Sequence, residues 1–149
     1  MKPCENFACV HGYCVHHQCE DCVYFSFDKE QCNRKVEEER IVILNKIAEE
    51  VHRNAVAHGW WDSERSFPEI IALCHAELSE ALEEHRKGKL PTETYYNGEK
   101  PEGIPSELAD CILRILDYCT SAGIDIGTAL FKKHGYNKSR PYKHGGKRY

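Results

Sequence analysis

From residue 36 to about 133, the helical segments repeat apolar positions every three to four residues, the spacing of helices that bury one face. From about Val36 to Ala57 they fall at Ile41, Leu44, Ile47 or Ala48, Val51 and Ala55, and Gly59 ends the run. Ser66-Phe67-Pro68-Glu69 reads as a helix start, with a Ser cap, Pro in the first turn and Glu three residues after the Ser to close a capping box. That second helix is expected to run to about Lys87 and stop at Gly88. Residues 88–104 hold Gly88, Pro91, Gly98, Pro101 and Gly103 and read as a loop. A third helix opens near Pro105-Ser106 and carries Leu108, Ile112, Ile115, Leu116 and Cys119 before Gly123, and Asp125 can cap a short fourth to about Lys133. No body segment has a persuasive period-two pattern. Val23 to Phe27 is the one stretch able to form a short strand.

Composition divides the chain. Six of the nine cysteines lie at positions 4, 9, 14, 19, 22 and 32, and the character changes at Asn33-Arg34-Lys35. The expected organisation is therefore a Cys-rich head, residues 1–35, and a helical body, residues 36–149. The 149 residues, 41% hydrophobic and 30% charged, suit one ordinary domain with a small appendage. A net charge of −4 gives no general attraction to nucleic acid, so none is expected as a partner. No stretch has the length of a membrane span, and the N-terminus lacks the apolar run of a secretory signal, so the expected location is the cytoplasm. Cysteines in a reducing compartment act as metal ligands or small core residues more often than as disulfides.

Acidic residues carry the candidate chemistry. Glu77 and Glu80 stand three apart on the second helix and leave it on one face, with Glu83 and Glu84 beside them. Glu107 and Asp110 repeat the spacing at the start of the third. The intervening loop lets the two helices lie antiparallel, bringing the pairs opposite one another. Four facing carboxylates repel unless divalent cations neutralise them, and Mg²⁺ takes hard oxygen ligands while keeping room for water and phosphate. A single E-x-x-E pair is more often a solvated helix face than a site. Here both pairs are flanked by apolar residues, Ala76, Leu78, Ala81 and Leu82 in one, Leu108, Ala109, Cys111 and Ile112 in the other. Pattern alone balances the two readings.

Three blocks in order resemble the MazG-like all-α nucleoside triphosphate pyrophosphohydrolases. The first is His75-Ala-Glu77-Leu-Ser-Glu80-Ala-Leu-Glu83-Glu84, completed by Ser106-Glu107-Leu-Ala-Asp110, an E-x-x-E … E-x-x-D signature with residues 81–106 between the pairs. The second is Lys100-Pro-Glu-Gly-Ile-Pro105, and the third runs from Lys133-His-Gly-Tyr136-Asn137-Lys138-Ser-Arg140 to Lys147. Together they span roughly residues 40–149 and leave the head outside. The resemblance implies an all-α helical bundle completed by oligomerisation, as a homodimer or homotetramer. It implies Mg²⁺-dependent cleavage of a ribo- or deoxyribonucleoside triphosphate between the α and β phosphorus atoms, giving monophosphate and pyrophosphate. Glu77, Glu80, Glu107 and Asp110 would be the catalytic metal ligands. No P-loop or G-x-S-x-G motif is present, so phosphate would be held by side chains and metal.

From Lys132 to Tyr149 there are seven Lys or Arg residues and no acid. Such a tail is commonly mobile and solvated, or a nonspecific nucleic-acid patch. The resemblance makes Lys133, Lys138, Arg140 and Lys147 candidates for phosphate, with Tyr136 and Asn137 for sugar or base. In His58-Gly59-Trp60-Trp61 either Trp can stack on a base or anchor a core, and Trp61 is the candidate substrate contact. His75 and His85 flank the acidic stripe and receive no role.

In the head, Cys19-Glu-Asp-Cys22 can grip one metal with two thiolates, followed by Cys32. Cys14, Cys9 or Cys4 can supply a fourth ligand, with His11, His16 and His17 also at hand; Cys14, Cys19, Cys22 and Cys32 are the set expected to hold structural Zn²⁺. So small a segment buries too little apolar surface to fold without such a staple. An iron–sulfur cluster or a redox C-x-x-C pair is the weaker reading of the same cysteines. Cys74, Cys111 and Cys119 sit among apolar helix positions and read as core. Two rival functions stand beside the enzyme: a non-catalytic zinc-binding oligomeric module, and a nucleic-acid-associated protein using head and tail together.

Overall fold

The computed structural model describes residues 29–143, with side chains from Val36 onward. Four helices and one small hairpin follow in order: α1 (Lys29–Ala57), α2 (Phe67–Arg86), β1 (Tyr95–Asn97), β2 (Lys100–Glu102), α3 (Ile104–Ser121) and α4 (Ile126–Lys138). The architecture is mostly helical, and no helix among the described residues is long and apolar enough to cross a membrane. Residues 45–126 form one compact unit; the described residues up to 44 and from 127 onward belong to a second. The change of composition at residues 33–35 lies inside α1, which continues through it. Lys, Arg and Glu are good helix formers, so that change requires no break in the backbone.

Helix α2 starts as its sequence dictates. Ser66 is extended, at φ −77° and ψ 149°, and its hydroxyl accepts from the Glu69 amide at 3.4 Å. Only half of the capping box forms, because the Glu69 carboxylate turns to Arg65 instead, at 3.4 Å. At the other end the Lys87 amide donates to Glu83 and the Lys89 amide to Glu84, which satisfies carbonyls that the helix leaves open.

The segment expected as a plain loop contains a hairpin. Tyr95 pairs with Glu102, Tyr96 with Pro101 and Asn97 with Lys100, in antiparallel register. The two-residue turn is Gly98-Glu99, with Gly98 at φ 63° and Glu99 outside the positive-φ region, as a type II′ turn requires. Asn97-Gly98 directly after Tyr95-Tyr96 is the sequence signal for it. Gly103 then delivers the chain into α3 at φ 108°, and a Cβ there would lie 2.5 Å from the Glu93 carbonyl oxygen. Only glycine fits that junction. Pro105 follows in the first turn, where its missing N–H costs nothing.

Helices α2 and α3 pack against each other as an antiparallel pair. Phe67 meets Tyr118 with ring centroids 5.3 Å apart. One turn further along α2, Ile70 and Cys74 close on Cys111 and Tyr118. Within the same unit α1 makes polar contacts with α3 and the segment after it: His52 Nδ1 lies 2.7 Å from Asp117 Oδ1, and Asn45 Nδ2 donates to Asp125 at 2.8 Å. The core is thin. No large side chain among the described residues is completely buried, while Ile71, Leu78 and Leu82 of α2 and Leu108, Ile112 and Ile115 of α3 remain exposed.

Candidate metal centre

The buried face of α2 reads Ile70, Cys74, Glu77, Ala81, Glu84, an unbroken helical stripe that includes two glutamates. On α3 the buried face begins with Glu107 and Cys111. Carboxylates therefore occupy positions whose neighbours bury apolar atoms, and each must be compensated to stay charged there.

One ligand oxygen each from Glu77, Glu107 and Asp110 lie within 4.8 Å of one another. Glu77 and Glu107 are each 5% exposed, and Asp110 is partly exposed. Antiparallel packing brings the three together, since the middle of α2 faces the first turns of α3. Burial pushes the Glu107 carboxyl above its ordinary range, with further upward pressure from the charges of Glu80 and Asp110. Burial does the same to Asp110, helped by Glu77 and opposed by Arg114 and Lys100. One cation meets the group directly. Arg114 turns Nε and Nη2 toward Glu77 Oε1, both at 2.5 Å. Ionised, the three carboxylates outweigh that guanidinium by two charges. Hard oxygen donors and an excess of negative charge are what a small divalent cation such as Mg²⁺ fits, and thiol or imidazole donors are absent from the group.

The structure treats the four expected carboxylates unequally. Glu77, Glu107 and Asp110 converge. Glu80 stays exposed one turn along α2 and outside that close group, though it lines with Glu107 a polar cavity of about 540 Å³ under the hairpin. Of the other acids in the stripe, Glu83 pairs with Arg86 at 2.8 Å in solvent. Glu84 is taken up by Lys87 at 2.7 Å and the Tyr95 hydroxyl at 2.9 Å.

A second cavity, about 620 Å³, opens on the other side of Asp110. Val51, Ala55, Trp60, Ile70 and Leu113 give it an apolar wall; Glu50, Asn54, His58, Asp117 and Arg114 give it polar groups. Trp60 lines it and Trp61 does not. The Trp61 indole N–H donates to both oxygens of Asp117, at 2.9 and 3.1 Å, and its ring meets His52 edge-on at 5.3 Å. Trp60 is half exposed, with the Arg65 guanidinium 5.0 Å and the Arg114 guanidinium 5.7 Å from its ring. Sequence reasoning missed Trp60, Arg114 and Asp117 as site residues. For Arg114 a signal existed, since it follows Asp110 by one helical turn and shares its face.

Of the C-terminal candidates, Lys133, Tyr136, Asn137 and Lys138 lie on α4 and Arg140 just beyond it, all in the second unit. Lys133 and Arg140 approach the Tyr136 ring at 5.5 and 5.9 Å. Lys147 lies outside the described residues, as do Cys14, Cys19 and Cys22, and Cys32 falls in α1 where side chains are not described. Cys74, Cys111 and Cys119 are free and buried. Burial pushes the Cys74 and Cys119 thiols up, so they stay protonated and pack as core. His75 and His85 are exposed on α2. No family model, curated protein or solved structure matches the chain.

Proposed function

We propose that this protein hydrolyses a nucleoside triphosphate, ribo- or deoxyribo-, at the α–β phosphate bond, in a Mg²⁺-dependent reaction of the MazG-like type. The observation that carries it is the convergence of Glu77, Glu107 and Asp110 beside an aromatic-walled cavity. These three, with Glu80 at the margin, would hold the metal. Magnesium bound there would neutralise phosphate charge and acidify a water at neutral pH. The chain's own residues do the rest. The carboxylate oxygens suit a hard cation, and the Trp60 wall offers a π face to a base of any identity. Water adds across the anhydride: one P–O bond forms, the bridging P–O bond breaks, and monophosphate and pyrophosphate leave. No covalent nucleophile is required, only positioning and charge stabilisation.

A second copy of the chain fits the same reading. The exposed stripe of Ile71, Leu78, Leu82, Leu108, Ile112 and Ile115 is the kind of apolar face that a homo-oligomeric helical bundle buries. The proposed chemistry uses only residues of the 45–126 unit.

Pyrophosphate release is the test. With Mg²⁺ and a panel of ribo- and deoxyribonucleoside triphosphates, one pyrophosphate per nucleotide is expected, and none in the presence of chelator. Release of orthophosphate in its place, or unchanged turnover in Asp110→Asn, would overturn the assignment.

A further inference from the structure

We infer that Arg114 is the residue that grips the α-phosphate, at the junction between the acidic group and the Trp60 cavity; this rests on the function proposed above. Two residues belong to both places. Asp110 is a member of the acidic group and lines the cavity, and Arg114 lines the cavity while its guanidinium bonds Glu77. A nucleotide whose base lies in the cavity and whose phosphates reach the acidic group passes its α-phosphate between these two. Asp110 repels an anion there. Arg114 attracts it.

Arg65, the other guanidinium on that wall, bonds no member of the acidic group: its Nε donates to the Trp60 carbonyl at 2.6 Å and its Nη1 reaches Glu69 at 3.4 Å. Arg114 is better placed. Its Nε and Nη2 hold Glu77, and a guanidinium carries five N–H donors in a rigid fork, so Nη1 keeps donors for a phosphate oxygen. Glu77 thereby aims the fork. The guanidinium's position 5.7 Å from the Trp60 ring places it between base and metal ligands, where charge accumulates as the bridging bond breaks.

A purely structural ion pair joining α2 to α3 predicts something different, and ligand binding separates the two. Affinities of wild type, Arg114→Gln and Arg114→Lys are measured with Mg²⁺ for a nucleoside and for its 5′-monophosphate, alongside pyrophosphate release from the triphosphate. In the wild type the monophosphate binds more tightly than the nucleoside. In Arg114→Gln that preference is expected to vanish while nucleoside affinity holds, and kcat to fall by about 10²-fold. Arg114→Lys keeps the charge without the fork and should fall between them, which preserves the test if the Gln variant does not fold. A preference for the monophosphate that survives both substitutions, in a wild type that releases pyrophosphate, overturns this inference alone. A wild type that neither binds nucleotide nor releases pyrophosphate overturns the proposed function and this inference with it.

Discussion

Glu77 and Glu84 stand two turns apart on one face of α2 and are nearly equally buried, at 5% and 6% exposure. Their surroundings differ completely. Glu84 receives a lysine ammonium and a tyrosine hydroxyl from its own neighbourhood, and the Lys87 hydrogen bond, followed by that of Tyr95, holds its carboxyl below the ordinary range. Glu77 receives one guanidinium and faces two more carboxylates. A chain selected only for stability has no reason to leave three carboxylates facing one cation in a partly dry place, because each uncompensated charge weakens the fold. The first arrangement anchors the hairpin to α2. The second is a stability deficit that a bound cation would repay, as the proposed function requires.

The comparison breaks most sharply at Glu77 itself. Glu77→Gln removes one of three convergent carboxylates and leaves Arg114 without a charged partner. Turnover is expected to fall about 10³-fold, and the Mg²⁺-induced rise in Tm to disappear. Glu84→Gln, the same change two turns along the helix, should lower Tm while leaving kcat/KM within about twofold of wild type. Steady-state pyrophosphate release and thermal melts with and without Mg²⁺ read both variants. Equal losses of turnover in the two would show that burial, not convergence, is what matters on this face.

Gly103 sharpens the contrast from the backbone side, because it fixes where α3 begins and so which turn Glu107 occupies. In Gly103→Ala the new Cβ would meet the Glu93 carbonyl oxygen at 2.5 Å, at a φ of 108° that alanine rarely adopts. A loss of about 2–3 kcal/mol is expected from strain and displacement together. Urea unfolding measures it, and a loss indistinguishable from zero would mean that the junction simply moves. If it holds, Mg²⁺ affinity should drop along with stability, since the Glu107 turn is no longer pinned.

These two residues also show what can be read from sequence. The α2 boundaries were legible because Ser66, Pro68 and Gly88 each act within a few residues, and local signals survive folding. The acidic pairs were legible as pairs. What pattern could not supply was the division of labour among them, since Glu77, Glu80 and Glu84 look alike in an amphipathic stripe. Their fates depend on what the fold brings to each: Arg114, far along the chain, for Glu77, Lys87 and the hairpin's Tyr95 for Glu84, and solvent for Glu80. Trp60 and Trp61 make the same point. Adjacent and identical, they diverge because Asp117, more than fifty positions on, accepts from the indole N–H of only one. The hairpin is a different case, because Asn97-Gly98 between Tyr96 and Lys100 is a local signal, overshadowed by the glycines and prolines around it.

The smallest effect concerns pH, and it tests the deficit without any substrate. In metal-free protein, burial raises the Glu107 and Asp110 carboxyls above their ordinary values of 4.5 and 3.8. Below those values both folded and unfolded chains carry the protons, and nothing is lost. As pH rises, the unfolded chain ionises first, so the folded state alone retains protons and its stability declines until the raised values are passed. Above the raised values the penalty is complete. Glu107→Gln carries no such charge, so in chelator its Tm should exceed that of wild type at neutral pH and converge with it below about pH 4. Adding Mg²⁺ should reverse the order, because the wild type regains through binding what it lost by burying charge. The Glu84→Gln protein serves as the opposite control: a carboxyl held low stabilises the fold above its ordinary value of 4.5, and that contribution fades as pH falls toward the lowered one. Thermal melts across pH in chelator and in Mg²⁺ give all three curves. If Glu107→Gln shows the same Tm difference from wild type at every pH, the carboxylates are not repelling one another, and Glu77 and Glu84 differ only in their partners.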